Sequence, residues 1–306
     1  MNVKRGVVAV AVLASLAVGT YLPLHLSAQH SQRQTAPQTA ITSTTQLASA
    51  KVTVNHGETA WTYNFADQPD GSLTRRDWRF ETGTTASDYH EEAQVYTNRP
   101  TNVRVENGIL IIEAKSDNLM GKKYSSGRID TKGHFDFTYG TFEAEIKVPK
   151  GVGTWPAVWL LPADNKYNPA DYKISSGDQY AWALNGEIDV AESVGYIPGE
   201  NIPAIHSYHE IQSPPTYTPG YVRDADTTFH RYGVIKTPKA ITFTIDGVPY
   251  STRNRIGTAP LDWPFDQSYY VVINLAVGGQ WGGAKGIDAK TAPWQLQVKS
   301  LSYKPL

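Results

Sequence analysis

The feature that most constrains the fold is the alternation of apolar and polar side chains along short segments of the chain. Residues 141–148 carry Phe, Ala, Ile and Val at every second position, with Thr, Glu, Glu and Lys between them. This two-residue period is typical of a β-strand with one buried face. No window of helical length shows a convincing period of 3.6 residues. The pattern therefore favours an all-β fold.

Tight turns between apolar runs indicate that neighbouring strands pair in antiparallel fashion. An Asn-Gly pair at 107–108 divides the apolar runs of residues 102–115, and an Asp-Gly pair at 246–247 follows the run at 241–245. Both pairs tolerate the positive φ angles that two-residue hairpin turns require. We therefore expect a β-hairpin at each of these places.

Further strands complete the expected architecture. Residues 269–277 are mostly apolar, which predicts a strand buried on both faces, and residues 295–299 alternate again. Many short strands with glycine and proline between them are typical of an antiparallel β-sandwich or jelly roll. We expect residues 51–306 to form one such domain.

The first fifty residues have a different composition. Lys4 and Arg5 precede an apolar run within residues 1–28, which predicts a signal peptide or, if it is not cleaved, an N-terminal membrane anchor. Residues 29–50 are rich in Gln, Ser, Thr and Ala and have few bulky apolar groups, so they are expected to form a disordered linker. Either form of the leader predicts export of the domain, and the membrane is expected as a partner only through an uncleaved leader.

Composition excludes some classes of function. The formal net charge of −1 provides no basic excess for nucleic acid, and the absence of cysteine excludes disulfides, thiolate zinc sites and a cysteine nucleophile. Eight Trp and 18 Tyr supply many flat rings. Most of these rings are expected in the core, and a minority are expected to line a binding cleft.

Residues 187–192, which read EIDVAE, carry three carboxylates within six positions. A solvated edge strand with scattered charge is one interpretation. Alternate side chains of a strand share a face, so Glu187 and Asp189 point the same way and Glu192 points to the other face. A β-bulge near Val190 and Ala191 would return Glu192 to the shared face, and such bulges often lie beside active sites.

A bulged strand of this kind suits glycoside hydrolysis. The backbones of Glu187 and Glu192 would stand roughly 13 Å apart, and inward-leaning side chains can reduce the separation of their carboxyl groups to the ~5–5.5 Å used by retaining glycosidases. Asp189 would lie between them. Three neighbouring carboxylates cannot all ionise freely, so at least one pKa should rise, as a general acid requires near neutral pH.

The EIDVAE segment resembles the E-[I/L]-D-x-x-E motif of glycoside hydrolase family 16, in the bulged form of its laminarinase-like branch. Residues 139–162, 229–232, 241–246, 263–266 and 274–281 resemble other conserved segments of that family. The resemblance covers most of the body. It implies a concanavalin-like jelly roll with an open substrate cleft and a polysaccharide substrate, and we expect a monomer.

The resemblance also implies roles for individual residues. Glu187 would be the nucleophile, Glu192 the acid/base, and Asp189 a residue that tunes the pair. Six further residues match substrate-binding positions of the family: Trp155, Trp159, His206, Asn102, Arg128 and Trp281. Trp155 is the stronger candidate for sugar contact, because Trp159 could instead belong to the core. A structural role is the alternative for His206.

Departures from the family pattern bear on calcium and specificity. A structural calcium of the family is held partly by an aspartate near the last strand, where this chain reads Val298-Lys299-Ser300. We therefore expect no metal and no other cofactor. Residues 164–184 and 198–228 are longer than in a minimal laminarinase, and loops of this kind determine specificity.

Three functions remain open at this stage. The first is hydrolysis of β-1,3 or mixed β-1,3/1,4 glucan by a secreted retaining endo-glycosidase. The second is transglycosylation, or hydrolysis of another polymer such as a bacterial exopolysaccharide, agar or carrageenan. The third is a non-catalytic glycan-binding module, which the presence of both glutamates disfavours. His206 and His209 could also bind a metal, but alternate faces of a strand would separate them.

Overall fold

The computed structural model describes residues 56–57, 59–213 and 217–306, which belong to the compact unit Ala50–Leu306. The predicted leader (1–28) and linker (29–50) lie outside the described residues. Within the described part of the chain, no helix combines the length and apolar character needed to cross a bilayer.

Nearly all regular structure in the described residues is β-strand. The strands are β1 (Trp61–Asn64), β2 (Gly71–Ser72), β3 (Arg79–Phe80), β4 (Gln94–Tyr96), β5 (Val103–Glu106), β6 (Ile109–Leu119), β7 (Lys122–Ser126), β8 (Arg128–Asp130), β9 (Gly140–Lys147), β10 (Thr154–Pro162), β11 (Glu187–Glu192), β12 (Glu200–Asn201), β13 (Ala204–His206), β14 (Gly220–Tyr221), β15 (His230–Lys236), β16 (Ala240–Ile245), β17 (Val248–Asn254), β18 (Tyr269–Val277) and β19 (Trp294–Lys304). The helices are α1 (Thr85–Tyr89) and four 3₁₀ turns at Phe65–Asp67, Pro169–Tyr172, Ala181–Asn185 and Ala289–Thr291.

These strands form two large sheets and one small one. The eleven-stranded sheet runs in the order β17-β16-β15-β9-β19-β6-β5-β2, and β1, β4 and β7 join it off this path. The six-stranded sheet runs in the order β13-β11-β10-β18-β8-β3, and β12 pairs with β14 separately. Apart from the parallel pair of β4 with β7, the strand pairs are antiparallel. The predicted all-β jelly-roll sandwich is confirmed.

The local sequence patterns explain the strands they predicted. Residues of β9 alternate strictly between buried and half-buried positions, as expected of a strand with one face in the core. Asn107 and Gly108 have φ angles of 52° and 72°, and Asp246 and Gly247 have φ angles of 50° and 78°. Two successive positive φ angles match the twist of a two-residue hairpin. Both predicted hairpins, β5–β6 and β16–β17, are confirmed.

The core lies between the two large sheets. Strand β18 is buried at all nine positions, as its apolar sequence predicted. It pairs with β10 along its whole length and with β8 on its other edge. Strand β11 is joined to this buried strand through β10. The outer face of the six-stranded sheet therefore lies directly over the core.

Candidate active site

The predicted bulge in β11 is present, and its position is defined by the pairing with β10. Trp159 lies opposite Asp189, whereas the preceding residue of β10, Val158, lies opposite Ala191. Val190 is therefore the extra residue on β11. A bulge of this kind reverses the facing of the side chains that follow it.

The bulge sorts the side chains of β11 between two environments. Ile188 and Val190 are fully buried in the core between the sheets. Because cross-strand partners share a face, Asp189 lies on the same side of the sheet as its partner Trp159, and Glu192 lies beside Ala157 on that same side. The outer surface of the six-stranded sheet around Glu187, Asp189 and Glu192 is called the site face below.

The turn before β11 explains why this strand begins at Glu187. Gly186 ends the preceding 3₁₀ turn with a φ of 81°, and a Cβ there would lie 2.4 Å from the Tyr269 hydroxyl. Only glycine fits this close approach at positive φ. The Tyr269 hydroxyl and the Gln267 amide both donate to the Asn185 carbonyl oxygen, at 2.6 and 3.0 Å. The strand therefore enters the sheet from a fixed point.

The three carboxyl groups of the site face share a poorly solvated environment. Burial, reinforced by the charge of Asp189, raises the pKa of Glu187 to about 8 and the pKa of Glu192 to about 8. Burial also raises the pKa of Asp189 to about 7. Neighbouring carboxylates titrate as one coupled group, because each negative charge disfavours the next. Near neutral pH the cluster therefore retains at least one proton, as acid catalysis requires.

His206 joins this cluster from the adjacent strand β13. His206 is the cross-strand partner of Glu187. Its Nε2 lies 3.0 Å from Asp189 Oδ2 and 3.8 Å from Glu187 Oε1. The half-exposed imidazole thus contacts two of the three carboxylates. His209, the other histidine considered as a metal ligand, instead contacts Asp262 at 2.7 Å, so the two histidines do not form a shared site.

The residues that could hold a metal ion in the described part of the chain already belong to the cluster. Within residues 56–57, 59–213 and 217–306, Glu187, Asp189 and His206 form the one group of three His, Asp or Glu side chains whose ligand atoms lie within 4.8 Å of one another. Within this group, His206 Nε2 contacts Asp189 Oδ2 directly, at 3.0 Å. The expectation of a metal-free site remains a prediction.

Trp155 lies at the Glu192 end of the site face. Its indole Nε1 donates to Glu192 Oε1 at 2.8 Å, and this hydrogen bond lowers the pKa of Glu192 against the larger effect of burial. Its ring meets the ring of Trp281 edge-on at 5.3 Å and the ring of His90 at 5.7 Å. Burial lowers the pKa of His90, which favours a neutral ring. The half-buried Trp155 and Trp281 form an aromatic corner next to one carboxylate.

Trp159 also lies on the site face and is not a core residue. Its Nε1 donates to Asn274 Oδ1 at 2.7 Å, and the Arg128 guanidinium lies 4.8 Å from the centre of its ring. Arg128 is held on its other side by Glu81, at 2.9 Å. Asn274 Nδ2 donates in turn to the Tyr96 hydroxyl at 3.2 Å. Trp159 and Arg128 are therefore brought together in one fixed arrangement.

Asn102 does not join the site, and the expectation that it binds a sugar hydroxyl is wrong. The residue is fully buried. Its Oδ1 accepts from Thr97 and Arg99, and its Nδ2 donates to the Glu113 carbonyl oxygen and to Ser125. An amide offers two donors and one acceptor oxygen, so no capacity remains for a ligand. Asn102 ties β5, β6 and β7 together instead.

Two polar residues near the site were missed by sequence reasoning. Asn274 is the one polar side chain in the otherwise apolar and aromatic strand β18, and this isolation was a usable signal. Asn201 lies in the long segment after β11, where its side chain contacts the bulged backbone. Nothing in the local sequence distinguishes Asn201 from other loop asparagines.

The residues at the expected calcium position do not fit calcium. Lys299 interrupts the pairing of β19 with β9, and its Nζ donates to Glu145 Oε1 at 2.8 Å. An ammonium group has no lone pair for a cation, whereas calcium requires several oxygen ligands. Lys299 therefore places a positive charge of its own beside the carboxylate at this point.

The two long segments noted in the sequence flank β11 on both sides. The first contains the 3₁₀ turns Pro169–Tyr172 and Ala181–Asn185, and the second contains β12, β13 and β14. Trp182, partly exposed, brings its ring to 5.9 Å from the ring of His206. The first segment thus adds an aromatic side chain near the Glu187 end.

The site face lies within a segment that matches a known protein family. Residues 90–295 match the family model described as glycosyl hydrolases family 16. A β-glucanase from Rhodothermus marinus is 36% identical over 255 residues, which cover 79% of this chain and 83% of that protein.

Solved structures show the same likeness in three dimensions. The laminarinase from Rhodothermus marinus superimposes with a TM-score of 0.73 at 34% identity, covering 82% of this chain and 98% of that one. SCLam, a non-specific endo-β-1,3(4)-glucanase, superimposes with a TM-score of 0.70 at 30% identity, covering 79% and 89%.

Proposed function

The chain belongs to glycosyl hydrolases family 16 and is a glycoside hydrolase, and from this premise we propose that it cleaves β-1,3 or mixed β-1,3/1,4 glucan within the polymer by a retaining mechanism. Similar proteins are described as a laminarinase and as a non-specific endo-β-1,3(4)-glucanase, which supports this class of substrate. The expected polymer is thus a neutral β-glucan.

One observation carries the proposal. The bulge at Val190 brings Glu187, Asp189 and Glu192 to the same face of one strand, in surroundings that raise the pKa of all three carboxyl groups. Two working carboxyl groups are what most glycosidases need. A strand without the bulge would turn Glu192 into the core, where it could not meet a substrate.

The proposed mechanism has two displacement steps. Glu187 attacks the anomeric carbon while Glu192 transfers its proton to the departing glycosidic oxygen, and a glycosyl ester forms on Glu187. Glu192, now ionised, then takes a proton from water as the water attacks the anomeric carbon, and the ester bond to Glu187 breaks. The division of roles between the two glutamates follows from the family resemblance.

Neighbouring groups support this cycle. Asp189 lies between the two glutamates along the strand, and its negative charge raises the pKa of both. His206 contacts Asp189 and Glu187, and its positive form would favour an ionised nucleophile. Trp155, Trp159 and Trp281 offer ring faces and edges on which sugars of a glucan chain can pack.

The two long flanking segments favour a second candidate in the same class of chemistry. They border the site face at both ends of β11, and loops in such positions decide which chain fits and whether water or a sugar accepts the glycosyl group. The alternative is therefore transglycosylation, or hydrolysis of another polysaccharide. A purely binding role is disfavoured because both glutamates are present. We further propose that the protein acts outside the cell as a monomer.

A reducing-sugar assay tests the proposal. Wild-type protein is incubated with laminarin, lichenan and a bacterial exopolysaccharide, and products are separated by size. We expect release of oligosaccharides from at least one of the β-glucans. The Glu187→Gln variant should retain glucan binding but lose several orders of magnitude in turnover. No product from any β-glucan, or near-normal turnover by the variant, would refute the proposal.

A further inference from the structure

One edge of the β11 backbone lacks a strand partner where the bulge lies. On the opposite edge, β10 pairs with β11 on both sides of the bulge, at residues 188–189 and 191–192. On the other edge, β13 pairs only with residues 187–189. The backbone groups that follow would be left without partners in a buried place, which is costly unless another group satisfies them.

The side chain of Asn201 fills this gap. Its Oδ1 accepts a hydrogen bond from the Glu192 backbone N–H at 3.0 Å, and its Nδ2 faces the Val190 carbonyl oxygen at 3.4 Å. A primary amide offers the same acceptor and donor as a peptide group. Asn201 therefore acts as a single peptide unit of a missing strand, and it spans Ala191 at the bulge.

Asn201 is itself held in place from several directions. Only 4% of its surface is exposed, and its Nδ2 also donates to the Tyr250 hydroxyl at 2.8 Å. Tyr250 belongs to β17 of the other large sheet. The next residue, Ile202, donates its backbone N–H to the Glu192 carbonyl oxygen at 2.8 Å. Both backbone groups of Glu192 are therefore bound by the segment 201–202.

We propose that Asn201 is a positioning residue for the proposed acid/base Glu192, because it fixes the bulge that brings this side chain to the site face. The inference rests on the proposed function of Glu192 and deepens it. Asn201 does not touch the substrate in this account. It acts through the backbone of Val190 and Glu192, so its loss should impair proton transfer to the leaving group more than sugar binding.

The test compares substrates whose leaving groups differ in their need for acid. Aryl β-glycosides of a β-1,3-linked glucose disaccharide are used, with 2,4-dinitrophenol as a good leaving group and phenol as a poor one. In Asn201→Ala we expect kcat/KM on the phenyl glycoside to fall about ten- to a hundredfold, which is part of the roughly 10²–10⁴-fold contribution of acid–base catalysis. On the dinitrophenyl glycoside kcat/KM should stay within about twofold, because kcat/KM reports the formation of the glycosyl ester, and a good leaving group needs little acid in that step.

A matched control separates positioning from general loss of stability. Ile202 is a buried neighbour in the same segment, and Ile202→Val removes one methyl group without removing any of the three hydrogen bonds of the Asn201 amide. We expect this variant to lower the melting temperature and leave the ratio of the two rates unchanged. An unchanged ratio in folded Asn201→Ala, or an equally altered ratio in Ile202→Val, would overturn the inference.

Two further variants keep the outcome interpretable. Glu192→Gln should show the same dependence on leaving group in a stronger form. If the rates of Glu192→Gln do not depend on the leaving group, the proposed role of Glu192 is refuted rather than the role of Asn201. If Asn201→Ala does not fold, Tyr250→Phe decides, because it removes one partner of the Asn201 amide and keeps the ring. We then expect a smaller loss confined to the phenyl glycoside, and equal rates in wild type and Tyr250→Phe would overturn the inference.

Discussion

The hydrogen bond from Trp155 to Glu192 should set the alkaline limit of activity. Trp155→Phe removes the Nε1–H that donates to Glu192 Oε1 at 2.8 Å, while an aromatic ring remains beside Trp281 and His90. The ionised form of Glu192 loses this donor, whereas the protonated form loses little. The pKa of Glu192, about 8 in the intact protein, should therefore rise further.

The size of the shift follows from the strength of the bond. A hydrogen bond to a charged group contributes about 1.5–3 kcal/mol, and about 1.4 kcal/mol corresponds to one pKa unit, so a rise of about one to two units is expected. The assay is kcat/KM against pH on a soluble β-1,3-glucan, because its alkaline limb reports the acid of the free enzyme. This limb should move to higher pH by that amount.

Trp159→Phe is the matched control for this measurement. Its indole N–H donates to Asn274 and not to a carboxylate, although the ring lies on the same face. We expect weaker substrate binding in this variant without displacement of the alkaline limb. Coincident alkaline limbs for Trp155→Phe and wild type, or equal displacement in both variants, would refute the reasoning.

Three other predictions follow from the same structure. The raised pKa of Glu187 means that the folded protein holds a proton more tightly than the unfolded chain, so the stability this provides is present below about pH 4.5 and is lost as pH rises through about 8. Thermal melts should therefore show Glu187→Gln gaining stability over wild type between pH 5 and pH 8; a constant difference would contradict this. Asn102→Ala should lower the free energy of unfolding in urea by at least about 2 kcal/mol, because it leaves several buried groups without a hydrogen-bond partner, and KM should not change. A raised KM would indicate that Asn102 binds the substrate. Removal of divalent ions with EDTA should leave the melting temperature unchanged, because Lys299 already provides the cation beside Glu145; a lower melting temperature would indicate a metal.

Much of the fold was predictable because the relevant physics is local. Alternation in β9 reflects burial of one face, and the positive φ angles at 107–108 and 246–247 require the residues found there. The bulge was predictable for a related reason. The spacing of Glu187 and Glu192 places them on opposite faces of a regular strand, so only an inserted residue could bring them together.

The rest depended on contacts between distant segments. Asn102 directly precedes β5 and Asn274 lies within β18. The Asn102 side chain turns inward and binds the backbone of β6, whereas the Asn274 side chain accepts a hydrogen bond from Trp159. Residue type alone does not distinguish these orientations. The role of Asn201 could not be predicted from the sequence for the same reason. Its partners Val190 and Tyr250 are brought to it only by the folding of the segment after β11.

Covalent trapping of the glycosyl intermediate identifies the residue that attacks the sugar. A 2-deoxy-2-fluoro β-laminaribiosyl fluoride slows the breakdown of the ester, and intact mass followed by fragmentation of the peptide that contains residues 187–192 locates the label. We expect stoichiometric labelling on Glu187 and no labelling of Glu187→Gln. A label on Asp189 or Glu192, or hydrolysis of natural glucan to a product of inverted configuration, would contradict it.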